Sequence, residues 1–336
     1  MNGPGSSAGD PAWRSHLVLI LCVWVPWALM MAYGDQWRLF EHDWYMSVTM
    51  MFGSFVAGAT SEGGGAVAFP VMTLGFDLSP QVARDFSLMI QSVGMSAAAV
   101  MIVLMRIRVE WRAVVFAGLG GLLGVVVGLE QLSRIFPATY TKTFFVSFWL
   151  GFGAALYWIN RDRARHVFTR IPSFDVHAAL KLFVAGVLGG LVSGLTGSGL
   201  DIVAFSLLVL WFGLCEKVAT PTSVVLMATN SLAGFAWREG VGDGMLPQAW
   251  DFWWVCVPIV VVGAPLGARF IRDRSRHFVS GFLYLSIVAQ YLWALVVIPQ
   301  TGPLLLFSVL VILGSVSFFV AMTRNGRART VATPSA

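Results

Sequence analysis

Two carboxylates, Glu62 and Asp201, lie inside long apolar stretches. Each stands at a glycine-rich break, Ser61-Glu62-Gly63-Gly64-Gly65 in one case and Gly197-Ser198-Gly199-Leu200-Asp201 in the other. Away from the ends of the apolar stretches, they are the only acidic or basic side chains. A carboxylate at the centre of a bilayer costs at least ~2.5 kcal/mol, which gives such a residue a functional reading as a proton carrier. It has a structural reading too, as a cap on the free N–H groups of the helix that follows. The two readings are compatible. Thr60, Ser61, Thr196 and Ser198 add hydroxyl donors, while Gly63, Gly64, Gly65, Gly197 and Gly199 let a ligand approach the backbone closely. Helices starting near Ala66 and Asp201 would aim N–H groups and positive dipole ends at the same place. That combination suits a small oxyanion bound without lysine or arginine. Gln91 and Asn230, each in the segment after a break, are further candidates, with an interhelical hydrogen bond as their alternative role. Two ionised carboxylates beside an anion would repel it and each other, and burial raises carboxyl pKa values. Glu62 is therefore expected to be protonated when the anion is bound and to exchange its proton during transport. Asp201 is expected to remain a helix cap.

The elements that must position these residues follow from composition. The chain has 336 residues, 57% hydrophobic and only 12% charged, with a mean hydropathy of +0.76. A soluble domain carries roughly 25% charged residues. Solidly apolar runs recur over 17–34, 44–79, 86–105, 113–129, 143–158, 179–213, 218–237, 251–268, 278–298 and 304–322. Unbroken apolar runs of this kind make helices rather than barrel strands. Segments 44–79 and 179–213 would each exceed ~50 Å as one helix, and glycines interrupt both. Each is read as a hairpin of two short arms, about 13 to 16 residues long, too short for full spans. The fold class is thus an all-α integral membrane protein of eight full transmembrane helices plus two broken, re-entrant hairpins. With that drawing, 17 of the 22 Lys and Arg residues fall on the side that holds both termini. The positive-inside rule makes that side cytoplasmic. The expected location is a bacterial-type inner (plasma) membrane, crossed many times.

Aligning each residue with the one 136 further on gives 14 identities over positions 53–87, among them Gly58/Gly194, Thr60/Thr196, Gly63/Gly199 and the triplet Val67-Ala68-Phe69/Val203-Ala204-Phe205. Since one hairpin enters from outside and the other from the cytoplasm, the halves are inverted, as in many secondary transporters. The expected organisation is an N-terminal half over 1–158, a basic cytoplasmic loop over 159–181, a C-terminal half over 179–323 and a basic tail over 324–336. The four-residue spacing of Gly120, Gly124 and Gly128, and of Gly186, Gly190 and Gly194, is read as close helix packing. Pro70, Pro258 and Pro265 are expected to kink helices.

The run Gly58-Ala59-Thr60-Ser61-Glu62-Gly63-Gly64-Gly65, followed by Phe69-Pro70, resembles the G-x-x-x-x-G-G-G…P signature of the TauE/SafE sulfite-exporter family, also called the TSUP family. Gly263-Ala264-Pro265-Leu266-Gly267-Ala268-Arg269 is similar to that family's second recurring segment. The resemblance covers about residues 44–300. It implies transport of sulfite, sulfonates or related organosulfur anions, often outward and proton-linked. Two positions depart from the pattern. Glu62 replaces an apolar residue, and the second repeat lacks the full glycine run.

Other classes fit less well. The basic residues sit in short clusters between apolar runs, which argues against nucleic acid. Cys22, Cys215 and Cys256 lack the spacing of a disulfide or metal framework. His16, His42, His166, His177 and His277 fall at segment ends or in loops, leaving Ser198 without a base, so an intramembrane enzyme is not expected. No cofactor or metal is expected. The remaining alternatives are an anion channel and a carboxylate transporter. The expected partners are lipid, a small anion and a proton, with a second copy of the chain as a candidate partner.

Overall fold

The computed structural model describes residues 11–60, 63–160, 167–272 and 276–332. Ser61 and Glu62 lie outside the described residues. The chain is all-helical, and the one β-type contact among the described residues is an isolated bridge between Phe168 and Leu214. In order, the helices are α1 (Pro11–Tyr33), α2 (Leu39–Ala59), α3 (Gly63–Pro70), α4 (Pro80–Leu104), α5 (Trp111–Val127), α6 (Ser133–Ile135), α7 (Ala138–Asn160), α8 (Val176–Thr196), α9 (Leu200–Ser206), α10 (Glu216–Gly240), α11 (Pro247–Arg272), α12 (Arg276–Val297) and α13 (Gly302–Ala332). Six helices among the described residues are long and apolar enough to cross a membrane. Three shorter apolar helices cover 64–75, 200–211 and 283–297.

Both long apolar segments break where the glycines stand. Helix α2 ends at Ala59 and α3 starts at Gly63; α8 ends at Thr196 and α9 starts at Leu200. Local geometry then recurs at the 136-residue offset. A wide π-helical turn follows each short helix, over Val71–Gly75 and Leu207–Trp211. Phe76 N–H donates to Val71 O as Phe212 N–H does to Leu207 O, and α4 and α10 start at Pro80 and Glu216.

Three boundaries differ from the sequence reading. The first arms, α2 and α8, have 21 residues each rather than 13 to 16; each helix starts before its apolar segment, at Leu39 and at Val176. The basic loop expected over 159–181 gives way to α8 at Val176, where the Asp175 side chain caps Ala178 N–H at 2.7 Å. Of the tail expected over 324–336, the part up to Ala332 continues α13.

Each first arm packs against a helix from the other half of the chain, α2 on α11 and α8 on α5, and α4 packs on α10 between them. The glycine stripes make this close approach. A methyl on Gly186 would run into Ala117 O, and one on Gly190 would stand 2.5 Å from Gly121 O, so α5 and α8 touch backbone to backbone. Gly58 lies equally close to Ala264 across α2 and α11.

Helix α1 packs on α11 and repairs its prolines. Pro258 has no N–H for Trp254 O, and Pro265 has none for Val261 O. The indole Nε1 of Trp27 donates to Trp254 O at 2.8 Å, and His16 Nε2 lies 3.5 Å from Val261 O.

Candidate functional site

The second break is built to turn the chain and hold a carboxylate. Gly197 and Gly199 have φ of 83° and 155°, conformations that glycine adopts at little cost. Thr196 Oγ1 lies 3.0 Å from Val192 O and 2.7 Å from Ser198 O. The N–H groups exposed by the break are then taken up one by one. Asp201 Oδ1 accepts from Gly199 N–H and Ile202 N–H at 3.0 Å each, and Ser193 Oγ accepts from Leu200 N–H at 3.0 Å. Ser198 Oγ lies 3.3 Å from Asp201 Oδ2. Asp201 is fully buried. In this conformation the start of α9 is occupied by the chain's own carboxylate.

The first break meets the second through α4. At Gly65, an added methyl would stand 2.6 Å from Gln91 Nε2, 3.0 Å from Ser198 Cβ and 3.1 Å from Ser87 Cβ. At Gly197 it would stand 2.8 Å from Arg84 O. Gln91 bridges this junction, donating from Nε2 to Ser87 O at 2.9 Å and to Gly197 O at 2.7 Å. Gln91 Oε1 and Ser87 Oγ are buried and without a hydrogen-bond partner among the described residues. A void of about 10 Å³ lies alongside, between Met50, Gly64, Gln91 and Ala264. That is room for no more than one water.

The sequence candidates therefore divide. Gly65, Gln91, Gly197 and Ser198 come together in one buried junction. Gly64 lies next to it, with Gln91 Cγ at 3.6 Å from a methyl placed there, and Gly63 opens α3. Thr60 is buried and donates to Val56 O at 2.9 Å, the counterpart of Thr196 and Val192. Thr196, Gly199 and Asp201 belong to the second break itself. Asn230 sits apart, with its Oδ1 3.1 Å from a methyl placed on Gly121 of α5. Both of its amide atoms are buried without partners among the described residues.

Sequence reasoning missed Ser87, Arg84 and Asp85. The last two fall between the apolar runs 44–79 and 86–105, yet both are buried in the second turn of α4. Arg84 Nε and Nη2 donate to Asp85 Oδ1 at 2.9 and 2.7 Å, and Asp85 Oδ2 accepts Leu246 N–H at 3.2 Å. Arg238 Nε lies 4.0 Å from the same carboxylate. The signal was present: Ser79-Pro80 is an N-cap followed by proline at the first helical position, and Ser79 Oγ accepts Val82 N–H. Among the described residues, no group of His, Cys, Asp and Glu is arranged to hold a metal.

Comparison with curated proteins and with solved structures gave no match. The family model described as sulfite exporter TauE/SafE matches residues 46–292, a range that contains both breaks, α4 and α10. The chain therefore belongs to the sulfite exporter TauE/SafE family, a family of membrane transporters, and is a multi-pass membrane protein.

Proposed function

We propose that the chain is a proton-coupled secondary carrier of sulfite or a small organosulfonate, with the anion held where the two breaks meet. The supporting observation is the convergence of Gly65, Ser87, Gln91, Gly197 and Ser198 in one buried junction that keeps unpartnered polar atoms. Unsatisfied buried groups are rare in folded proteins, and each calls for a reason. A transiently bound oxyanion supplies one for the Ser87 hydroxyl, from which it accepts, as it does from Ser198 and from the Gln91 N–H groups once the amide turns away from Gly197. The void of about 10 Å³ is too small for such an ion, so in this reading the conformation is a collapsed one. Binding requires the breaks to part, as alternating access demands of two inverted halves rocking about a shared site.

In this reading Glu62 exchanges the proton, Asp201 stays a fixed cap, and both termini face the cytoplasm of a bacterial-type inner membrane. A pair of copies side by side is compatible with the lipid-facing outer helices. The test is flux of sulfite, thiosulfate, alkyl sulfonates and carboxylates in proteoliposomes with an imposed pH gradient. The expected result is saturable movement of a sulfur oxyanion, dependent on the gradient. Non-saturable flux, or equal flux of carboxylates, would reject the proposal.

A further inference from the structure

A second basic feature lies away from the breaks. The link between α4 and α5 and the segment before α8 enclose a cavity of about 570 Å³. Its polar wall holds Arg106, Arg108, Arg170 and Thr169, and its apolar wall includes Val103 and Trp111. Among the described residues, no carboxylate pairs with any of these three arginines. The acid closest in sequence, Glu110, is committed elsewhere. It binds Arg112 at 2.8 Å and accepts Ile171 N–H at 2.9 Å.

The cavity is held by backbone contacts from three directions. Phe168 N–H donates to Gly213 O at 2.9 Å and Cys215 N–H to Phe168 O at 2.8 Å, which fixes the segment carrying Thr169 and Arg170. Ile107 N–H donates to Ile102 O at 3.0 Å, and Glu110 N–H donates to Thr222 Oγ1 at 2.9 Å, which fixes the opposite lip. Arg106 has a left-handed φ of 52°, uncommon for a residue with a side chain. Three guanidinium groups of like charge are thus held at one cavity, and no acid among the described residues pairs with them.

We propose that this cavity binds the head group of an anionic phospholipid. The occupant must bring negative charge to three arginines and an aliphatic body to the other wall. Val103 and Leu104, at the end of an apolar helix, and Trp111, at the start of the next, are about half exposed. They continue the lipid-facing surface directly into the cavity. A phosphodiester with acyl chains meets both walls at once, whereas a free oxyanion meets only one. Guanidinium groups bind phosphate oxygens in pairs, and basic pockets at the ends of transmembrane helices are suited to such head groups. The inference is independent of the transport site.

The experiment uses the full-length protein in a zwitterionic detergent, with bound lipid counted by native mass spectrometry. The probes are phosphatidylglycerol, phosphatidylcholine and inorganic phosphate. Phosphatidylglycerol is expected to be retained and phosphatidylcholine lost, with millimolar phosphate failing to displace the former. Each of Arg106→Gln, Arg108→Gln and Arg170→Gln should weaken phosphatidylglycerol binding by about fivefold. Their combination should abolish the preference over phosphatidylcholine. Where the triple variant does not fold, the single variants decide. Equal retention of both lipids, displacement by phosphate, or unchanged binding in the single variants would each overturn the proposal.

Discussion

Gly65→Ala is the smallest change that probes the junction between the breaks. The added methyl stands 2.6 Å from Gln91 Nε2, so the carboxamide has to move. It then loses its hydrogen bonds to Ser87 O and Gly197 O. Each such bond contributes about 0.5–1.5 kcal/mol net, and a buried carbonyl left unpaired costs about 1–3 kcal/mol. The combined penalty is about 2–4 kcal/mol, because relaxation of the flexible amide recovers part of it. If the collapsed state is an obligatory step of transport, about 2 kcal/mol corresponds to roughly a 30-fold loss of rate. Gly64→Ala is the control. Its methyl meets Ala57, Gln91 and Met50 only at ordinary contact distances of 3.6–3.7 Å, and its flux should stay within about threefold of the parent. The assay is initial flux in proteoliposomes, together with thermal unfolding in detergent. A double-mutant cycle isolates the cause. On a Gln91→Ala background the methyl at Gly65 meets less, and its penalty should shrink by at least half. Strict additivity of Gly65→Ala and Gln91→Ala, or equal behaviour of Gly64→Ala and Gly65→Ala, would refute the reasoning.

Trp27→Phe removes the donor that covers Trp254 O and should destabilise the protein by about 1–3 kcal/mol. Pro258→Ala on that background restores an N–H to the same carbonyl, and thermal unfolding should show at least partial recovery; no recovery would sink the explanation. Asp85→Asn leaves Arg84 buried without its partner, at a cost of about 3–5 kcal/mol, whereas Arg84→Met with Asp85→Leu should be milder; denaturation of the three proteins decides. Glu62→Gln should keep substrate binding but lose the pH dependence of flux, and an unchanged pH profile would remove Glu62 from the mechanism. Asp201→Asn keeps an acceptor for Gly199 and Ile202 N–H and should lower thermal stability more than it alters that profile.

The breaks were legible because their cause is local. A run of glycines such as 63–65 weakens any helix that passes through it, and an ungapped offset of 136 residues placed the second break opposite the first. What the sequence concealed was long-range or lay at element ends. The polar residues Glu41, His42 and Asp43 look like a loop, yet they form the first turns of α2. Arg84 and Asp85 look like charges exposed beside a turn, because their mutual neutralisation is visible only once α4 is known to start at Pro80. The repair of α11 by α1 pairs residues 227 and 245 positions apart, and no periodicity announces it. Gln91 was chosen as a lone amide in an apolar run; that it bridges the two breaks depends on packing between α4 and a segment 106 residues away.

The two breaks occupy equivalent places in the repeat but differ in chemistry, and the difference bears on where an anion sits. Position 201 corresponds to position 65 at the 136-residue offset. In the second break that position carries a carboxylate, which folds back and takes the N–H groups of Gly199 and Ile202. An incoming anion would have to displace a group tethered to the same turn, whose effective concentration is at least in the millimolar range. In the first break the equivalent position is Gly65, which has no side chain, and its space is filled from outside by Gln91 and Ser198. Displacing Gln91 costs two hydrogen bonds, and an oxyanion that accepts from the released amide returns much of that cost. The asymmetry thus gives the breaks separate tasks. On the proposed reading, the second holds its shape with its own Asp201 carboxyl group, while the first, opened at Gly65 and Gln91, would receive the transported anion.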